Sequence, residues 1–455
     1  MSLTDSRDLA LGDMDQGFDM NQAIAEAERC LLCFDAPCSK GCPAETDPGR
    51  FIRKLRLRNV TGAIKTIKHN NILGGACGVL CPATRLCQKE CCSSGIGRPI
   101  QIGKLQRFLI EHAWNIGFDA FDARVFITPA SRAERVAVVG AGPAGLACAA
   151  ELAKAGVHVT VFEQRQEPGG VLRYGVPAFR LDAAFLGKEI ETLRMLGIEF
   201  RCSTPIRSQG GVEDLLKDGF QAIFAGCGLW SAIPLRDDVQ DVAGVLSSVA
   251  FLSGLREGLG ADAKRMLGGR RVAVIGGGSV AIDCARSAKR LGAREVYLVY
   301  RRSYEQMPAE EDERLEALQE GIHFLALNQP LDYSRDPENK LTGVKLVRTE
   351  LGANDASGRK EAVTIPGSEW IFPVDCVVEA IGNRAEFDSP NWYPSVKLGK
   401  DQRVEVDEAS CRTSHPAIFA GGDIVRGPGL VVEAIADGKK AAKTILQSFK
   451  KGARS

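Results

Sequence analysis

Two segments of the chain, about 135 residues apart, carry the same pattern of apolar strand, glycine turn, helix and second strand. The first, RVAVVGAGPAGLACAAELAKAGVHVTVFE, begins at Arg135, and the second, RVAVIGGGSVAIDCARSAKRLGAREVYLVYRR, begins at Arg271. Strands joined through a helix pair in parallel, and parallel sheets are covered by helices on both faces. The repeat therefore predicts an α/β chain with two Rossmann-like domains, each able to bind a dinucleotide.

The first repeat is complete enough to predict its ligand. Gly140, Gly142 and Gly145 have the spacing G-x-G-x-x-G, in which two glycines let the backbone approach a pyrophosphate and the third lets the helix pack on the strand. Glu163 ends the second strand, where a carboxylate can bind the ribose hydroxyls of adenosine. Turn, helix and terminal carboxylate together predict an FAD site, and a purely structural glycine turn is the alternative.

The second repeat differs at the position that selects the nucleotide. Its turn has the form G-x-G-x-x-A, and two arginines stand where the first repeat has Glu163. A carboxylate would repel a 2′-phosphate, whereas guanidinium groups pair with it. The second site is therefore predicted to bind NADPH in preference to NADH, unless the arginines are a solvated surface pair. The predicted residues are Gly276, Gly278, Ser279, Val280, Ala281, Arg301 and Arg302.

Eight of the fifteen cysteines lie in two runs between Cys30 and Cys91. The first run is spaced C-x2-C-x4-C-x3-C and is followed by Pro43, and the second is spaced C-x3-C-x5-C-x3-C. Runs ending C-x3-C-P hold [4Fe–4S] clusters in bacterial ferredoxins, where the last cysteine ligates the neighbouring cluster. Apolar residues between the runs recur at helical spacing. A helical domain with two clusters is predicted, with structural zinc as the alternative.

Composition excludes several other classes of protein. Lys plus Arg (58) nearly balance Asp plus Glu (57), so no charge excess points to nucleic acid or an acidic membrane. No apolar run approaches the roughly 18–20 residues of a membrane span, and the N-terminus lacks the pattern of a secretory signal. The cysteines are therefore expected to be reduced in a cytoplasmic protein. The five histidines form no triad-like arrangement, so no catalytic side chain is predicted.

Along nearly its whole length the chain resembles the electron-input module of dihydropyrimidine dehydrogenase and, more distantly, the small subunit of glutamate synthase. The five-residue gap between Cys81 and Cys87 (PATRL) and the IGKLQRF segment favour dihydropyrimidine dehydrogenase over glutamate synthase. The segments that carry the match are CLLCFDAPCSKGCP, GACGVLCPATRLCQKEC, PIQIGKLQRF, GAGPAGL, EPGGVLRYGVPAFRL, GGGSVAIDCA and FAGGDIV.

This resemblance implies an NAD(P)-dependent oxidoreductase of pyrimidine catabolism acting on CH–CH bonds. NAD(P)H would reduce FAD, and two [4Fe–4S] clusters would carry electrons to a partner subunit with FMN and further clusters, which reduces uracil or thymine. The expected assembly is a heteromer, specifically a heterotetramer. An electron-supplying subunit of glutamate synthase or a related reductase is the alternative enzyme. A redox-sensing nucleotide-binding scaffold is the alternative outside catalysis.

The resemblance also implies ligands that the spacing alone does not give, since spacing would make each cysteine run a separate site. One cluster of the family takes a glutamine ligand, and Cys77 and Cys92 would be non-ligands. The implied ligands are Cys30, Cys33, Cys38 and Cys91 for cluster 1 and Cys42, Cys81, Cys87 and Gln106 for cluster 2. The implied FAD-binding residues are Gly140, Gly142, Pro143, Ala144, Gly145, Glu163, Gly170, Val171, Arg180, Ala380, Gly382, Gly422, Asp423, Leu430 and Val431.

The order of these motifs predicts how the domains are arranged. The last segment reads as a strand, a Gly-Asp turn similar to the flavin-contacting turn of two-dinucleotide reductases, and a long amphipathic helix. The nicotinamide domain would then be inserted within the FAD domain. The predicted parts are a flexible tail (1–20), a helical iron–sulfur domain (21–125), the first part of the FAD domain (134–245), the nicotinamide domain (246–370) and the second part of the FAD domain (371–455).

Overall fold

The structure is a computed structural model, which describes residues 14, 16–122, 131–207, 210–236, 242–355 and 358–452. Most of the predicted tail (1–20) lies outside these residues, and Met20 already begins the first helix. The described residues divide into two compact units. The cysteine unit contains residues 16–173, 180–229 and 385–452, and the inserted unit contains residues 174–179 and 230–384.

The strands are numbered in chain order. They are β1 (Arg135–Val139), β2 (His158–Phe162), β3 (Glu199–Arg201), β4 (Ala222–Ala225), β5 (Ser231–Ala232), β6 (Val245–Ser247), β7 (Arg271–Ile275), β8 (Glu295–Tyr300), β9 (His323–Ala326), β10 (Asn328–Arg335), β11 (Leu341–Asn354), β12 (Lys360–Thr364), β13 (Trp370–Pro373), β14 (Cys376–Glu379), β15 (Asn383–Arg384) and β16 (Ile418–Ala420).

The helices are numbered in the same way. They are α1 (Met20–Glu28), α2 (Pro37–Lys40), α3 (Pro48–Arg56), α4 (Val60–Asn70), α5 (Gly74–Leu80), α6 (Ile102–Asn115), α7 (Pro143–Lys154), α8 (Val171–Tyr174), α9 (Ala183–Met195), α10 (Glu213–Lys217), α11 (Ser248–Arg256), α12 (Gly260–Leu267), α13 (Ser279–Arg290), α14 (Glu311–Gln319), α15 (Asp423–Arg426) and α16 (Val431–Gly452). Short 3₁₀ turns span Ala83–Arg85, Cys92–Gly95, Tyr304–Gln306 and Ser389–Trp392.

Helices α1 to α6 form the cysteine-rich part of the cysteine unit, which confirms its predicted helical character. Asp19 begins α1 with a capping box in which its side chain and that of Gln22 bond each other's backbone N–H groups, and such boxes satisfy donors that helix ends leave unpaired. The helices then bury apolar faces against one another. Their core includes Phe51, Leu55, Ile64, Ile67 and Leu109. The cysteine loops are thus attached to a packed helical scaffold.

The rest of the cysteine unit is a parallel sheet of five strands in the order β16-β4-β1-β2-β3. Its strands are short, and four of them (β16, β4, β1 and β2) are mainly apolar, as expected where helices cover both faces, whereas the edge strand β3 carries the exposed Glu199 and Arg201. The final strand, β16, pairs with β4, and α16 packs on α7. At their contact, a Cβ on Gly438 would lie 2.1 Å from the carbonyl oxygen of Ala144. The last segment of the chain therefore completes the first dinucleotide-binding domain.

The inserted unit repeats this arrangement with a parallel sheet in the order β6-β14-β7-β8-β9. Strands β10 to β13, which lie between β9 and β14 in the sequence, form a separate antiparallel sheet. Strand β14 pairs with β7 as β4 pairs with β1, so Cys376–Glu379 belongs to the second sheet. The inserted unit accordingly runs from Trp230 to Arg384, whereas the predicted nicotinamide domain was 246–370. Within the described ranges, every helix falls short of what a membrane crossing would require.

Candidate functional site

The first glycine turn has a backbone that excludes side chains. Gly140 has φ +97°, and a Cβ there would lie 2.5 Å from the carbonyl oxygen of Gly226. A Cβ on Gly145 would lie only 2.0 Å from the carbonyl oxygen of Gly140. Gly142 stands at the N-cap of α7, and Pro143 opens the helix. The turn therefore brings bare backbone and the positive end of a helix to the edge of the sheet, which is the arrangement that binds a pyrophosphate.

Glu163 lies directly beside this turn. It follows β2, is 6% exposed, and accepts hydrogen bonds from the backbone N–H groups of Ala141 (2.8 Å) and Arg165 (2.9 Å). Burial raises the pKa of Glu163, and the two N–H donors work against that rise. Gly170 (φ +53°) packs on the other side, where its Cβ would lie 2.6 Å from the Cα of Gly142. The carboxylate is thus held where a nucleotide ribose would lie.

The Gly-Asp turn before α15 forms another wall of the same site. Gly422 has φ +76°, and a Cβ there would lie 3.0 Å from that of Ala144 in α7. Its N–H donates to Asp437 (2.9 Å), which also accepts from Arg426. Burial raises the pKa of Asp423 to about 6. Sequence reasoning missed Asp437, although an acidic residue on the apolar face of a long helix was a signal for it.

We expect Asp423→Asn to stabilise the flavin-free protein at high pH. The carboxyl has a pKa of about 6 when folded against 3.8 ordinarily, so it lowers stability as pH rises through this window and contributes nothing below it. A rise of about two pKa units corresponds to at most about 3 kcal/mol. Urea unfolding should show the Asp423→Asn variant more stable than wild type by about 1–3 kcal/mol at pH 8 and nearly equal to it at about pH 3, below both pKa values. A constant difference across this range would contradict the assignment.

The remaining predicted FAD residues fall into two groups. Leu430 and Val431 lie at the start of α16, and Val171 begins α8, while Arg180 lies within the cysteine unit. Ala380 and Gly382 instead lie in the inserted unit. Their contact with FAD stays a prediction.

The second glycine turn has the same construction as the first. Gly276 has φ +144°, and a Cβ there would lie 2.3 Å from the carbonyl oxygen of Ala380, in the place that Gly226 takes in the first domain. Gly278 stands at the N-cap of α13, where Ser279 and Val280 form the first turn. Ala281 is fully buried. Alanine at the third position of this turn is therefore small enough for the helix to pack on the strand. The predicted residues Gly276, Gly278, Ser279, Val280 and Ala281 lie together at this turn.

The two arginines after β8 have different roles. Arg302 is 4% exposed, and its guanidinium pairs with Asp355 (2.9 Å) and donates to the carbonyl of Lys360. Arg301 is exposed. The expectation that both arginines receive a 2′-phosphate therefore needs correction, because Arg302 is already engaged within its own domain. Contact between Arg301 and a 2′-phosphate stays a prediction.

We expect Arg301→Gln to lower kcat/KM for NADPH by about 10–100-fold, since a hydrogen bond to a charged group is worth about 1.5–3 kcal/mol. The value for NADH should stay within about twofold. Steady-state reduction of ferricyanide with each nucleotide measures the ratio. Arg302→Gln is the matched comparison, for which thermal stability should fall and both nucleotides should be affected alike. An unchanged NADPH to NADH ratio in Arg301→Gln would exclude the role.

Four cysteines from both runs lie together in the cysteine unit. Cys30, Cys33, Cys38 and Cys91 line one cavity, and the exposed Cys92 lies at its edge. Burial, together with the neighbouring thiols of Cys30, Cys91 and Cys33, raises the pKa of Cys38 to about 12. The structure therefore brings together the four residues expected for cluster 1, including the one from the second run.

A second group of thiols surrounds the end of α5. Burial, together with the neighbouring thiols of Cys42 and Cys38, raises the pKa of Cys87 to about 12, so the two thiol groups adjoin each other. A hydrogen bond to Cys77, burial, and the nearby Cys42 and Cys87 all raise the pKa of Cys81. Three of the expected cluster 2 ligands thus lie together. Cys77, expected as a non-ligand, lies against Cys81 and accepts a hydrogen bond from Asn71 (3.4 Å).

Gln106 is buried in α6 near the start of α5. Its Nε2 donates to the carbonyl oxygen of Gly74 at 2.5 Å. A carbonyl can only accept, so the nitrogen of the amide is fixed towards Gly74 and the amide oxygen is directed elsewhere. Such outer contacts orient metal ligands. The amide is therefore held in one orientation, and coordination of a cluster through its oxygen stays a prediction.

Across the part of the chain that the structure describes, no group of three or more His, Cys, Asp or Glu side chains is arranged to hold a single metal ion. A tetrahedral zinc with bonds of about 2.3 Å needs thiolates about 3.8 Å apart.

Two glycine turns on two parallel sheets, preceded by a thiol-rich helical domain, define an NAD(P)H-dependent flavin and iron–sulfur oxidoreductase. Residues 134–438 match the pyridine nucleotide-disulphide oxidoreductase family. The chain belongs to that family. Residues 7–118 match dihydropyrimidine dehydrogenase domain II, 4Fe-4S cluster. The predicted fold class, the 4Fe–4S domain and the flavin and nicotinamide nucleotide binding are thereby confirmed.

Individual relatives are similar over almost the entire chain. The glutamate synthase [NADPH] small chain of Escherichia coli K12 is 36% identical over 447 residues, covering 94% of this chain and 92% of the relative. The NAD-dependent dihydropyrimidine dehydrogenase subunit PreT of Salmonella typhimurium is 36% identical over 440 residues, covering 96% of each. Sequence identity therefore does not separate these two enzymes.

A solved structure has the same fold over the dinucleotide-binding part. Mycobacterium tuberculosis FprA in complex with NADPH aligns with a TM-score of 0.60 at 21% identity, covering 71% of this chain and 86% of FprA. At this identity the likeness concerns the fold alone.

Proposed function

We propose that the chain is the electron-input subunit of a heteromeric dihydropyrimidine dehydrogenase. It oxidises NAD(P)H and passes electrons through FAD and two [4Fe–4S] clusters to an FMN and iron–sulfur partner that reduces uracil or thymine to the 5,6-dihydropyrimidine. The observation that carries this proposal is the crossed grouping of the thiols, with Cys91 beside Cys38 and Cys42 beside Cys87. Thiolates of two such groups suit two neighbouring clusters.

The proposal gives the protein's own groups the following roles. Bound FAD would supply hydride acceptance from NAD(P)H and release of electrons one at a time, chemistry that needs no protein acid or base. Gly140 and Gly142 admit the pyrophosphate, Glu163 orients the adenosine ribose, and Asp423 lies at the flavin side of the fold. Arg301 receives the 2′-phosphate of NADPH. The protein thus acts by binding and orientation.

An exposed apolar loop supports delivery of electrons to another protein. Phe34 is fully exposed at 103% between Cys33 and Cys38, and Leu31 in the same loop is 47% exposed. Large apolar side chains grouped on a surface mark sites of association. Both residues lie within a few positions of expected cluster 1 ligands, so a partner that covers them would also approach that cluster.

The reaction is tested by reconstitution. Chain purified without oxygen is mixed with a candidate FMN and iron–sulfur partner, and NAD(P)H-dependent loss of uracil is measured. Uracil reduction that requires both proteins is the expected result. The chain alone should reduce ferricyanide but not uracil.

Glutamate synthase is the second candidate, favoured by a relative of the same 36% identity. Glutamine-dependent amination of 2-oxoglutarate, assayed with a large glutamate synthase subunit in place of the first partner, would identify that function. A colourless chain, or bound FAD that neither NADPH nor NADH bleaches, would contradict both enzymes and favour a scaffold.

A further inference from the structure

One partly buried and one fully buried charged side chain of the first dinucleotide-binding domain lie against segments that carry expected cluster 2 ligands. The first is Lys439 in α16, whose side chain is 18% exposed. Its Nζ donates to the carbonyl oxygens of Asn70 (2.8 Å) and Ala44. Ala44 is two residues from Cys42, and the ammonium interacts electrostatically with that thiol. A positive charge is therefore held beside the loop that contains Cys42.

The second charged side chain is Glu189 in α9, which is fully buried. Its two oxygens accept hydrogen bonds from the backbone N–H groups of Gly75 (2.8 Å) and Ala76 (2.9 Å), at the start of α5. Lys68, also buried, lies 3.4 Å from one of these oxygens. Helix α5 ends immediately before Cys81. A negative charge and its counter-ion are therefore held at the other end of the helix that positions Cys81.

Stability alone gives a weak reason for this arrangement, because removing charges from water costs free energy that their attraction seldom exceeds. A buried charge does change the free energy of adding an electron nearby, since little water screens the interaction. Reduction adds one negative charge to a cluster, so a buried cation favours it and a buried anion opposes it. Glu151 and Lys154 also interact electrostatically with Lys439, but they pair with each other, so their effects oppose. Glu45, 3.8 Å from Lys439, has a side chain that is 85% exposed, and solvent weakens its effect.

We infer that Lys439 and Glu189 are positioning residues that set the reduction potential of cluster 2, with Lys439 raising it and Glu189 lowering it. The inference rests on the proposed function, since it assumes that Cys42 and Cys81 ligate one [4Fe–4S] cluster. Both side chains come from the domain expected to bind the flavin. This domain would therefore set the reduction potential of the cluster whose ligand-bearing segments its helices contact.

The test is an anaerobic redox titration of the full FAD-containing chain, followed by electron paramagnetic resonance. Lys439→Gln and Glu189→Gln each remove one charge and keep the side chain's approximate size. Lys439→Gln should lower the potential of one cluster and Glu189→Gln should raise that of the same cluster. Each shift should change the ratio of reduced to oxidised cluster at least tenfold at a fixed potential, or about 59 mV. The other cluster should be unaffected.

Matched controls lie on the same two helices. Lys440, next to Lys439, donates to the carbonyl of Glu408 at the exposed surface. Glu191, two residues from Glu189, is exposed and pairs with Arg194. Lys440→Gln and Glu191→Gln should leave both potentials unchanged. A purely structural role would give no shift, or shifts of the same sign in both test variants, and either result overturns the inference.

Two further outcomes of this titration are a Glu189→Gln variant that does not fold and a wild-type chain that contains no iron. If Glu189→Gln does not fold, the double variant Glu189→Gln/Lys68→Met removes the buried pair without changing net charge, and its cluster 2 potential should stay near the wild-type value. A clear shift in the double variant would contradict the electrostatic account. Wild-type chain without iron would instead overturn the proposed function itself, whereas normal clusters with unmoved potentials overturn only this inference.

Discussion

Cys87→Ala is expected to remove one cluster and to reduce electron delivery to a protein acceptor by about 100-fold or more. An alanine gives no thiolate, and an iron without its protein ligand is readily lost from a cubic cluster. Reduction of the flavin by NAD(P)H should persist, because that step takes place in the dinucleotide-binding domains. Iron and sulfide content, the paramagnetic signal of the reduced clusters, and anaerobic bleaching of the flavin measure the three quantities.

Cys92→Ala is the matched control for this loss. Cys92 is exposed and adjoins Cys91, yet it is not among the expected ligands, so this variant should keep its full iron content and electron delivery. Equal iron loss in the two variants would show that cluster assembly is sensitive to any change in this segment. Full iron retention in Cys87→Ala would refute the assignment of Cys87 as a ligand.

Gly145→Ala is expected to weaken FAD binding by at least 100-fold, or about 2.8 kcal/mol. The added Cβ would lie 2.0 Å from the carbonyl oxygen of Gly140, so the turn expected to bind the pyrophosphate must move. All oxidation of NAD(P)H should fall with the FAD content. Absorbance of the bound flavin and isothermal titration of the flavin-free protein with FAD give the affinity.

Gly187→Ala provides the control, since it also replaces a helical glycine of the cysteine unit. No heavy atom lies within 4 Å of the Cβ that this change would add. It should keep normal flavin content and raise stability by up to about 1 kcal/mol, because alanine favours helix. FAD binding that survives Gly145→Ala unchanged would show that the first glycine turn does not contact the cofactor.

The sequence predicted those features that depend on short-range rules. The glycine turns were predictable because backbone close to a phosphate leaves no room for a side chain, and this requirement falls within six residues. Helical spacing predicted the cysteine-rich domain in the same way. The crossed grouping of Cys91 with Cys38 was not predictable from spacing, since it depends on how separate helices pack. It required the resemblance to a family.

Other features depend on contacts that are distant in sequence. Arg301 and Arg302 are adjacent residues of the same type, but the structure shows an ion pair with Asp355, just beyond the end of β11, for Arg302. The limit of the inserted unit at Arg384 depends on β14 pairing with β7. Asp437 approaches Gly422 only when α16 packs on the first sheet. Each of these contacts joins residues that are far apart in sequence and become neighbours only in the folded chain. Local sequence patterns therefore do not predict them.

The contact between Lys439 and Ala44 joins residues 395 positions apart, and this separation bears on how the protein is made. Ribosomes extend a chain by about 5–20 residues per second, so about 20–80 s pass between synthesis of the first cysteine loop and of the helix that packs on it. The first cysteine loop is thus made well before the helix that contacts it. We expect iron and sulfide to enter during this interval, and a pulse of synthesis without iron to yield chains that load poorly once complete.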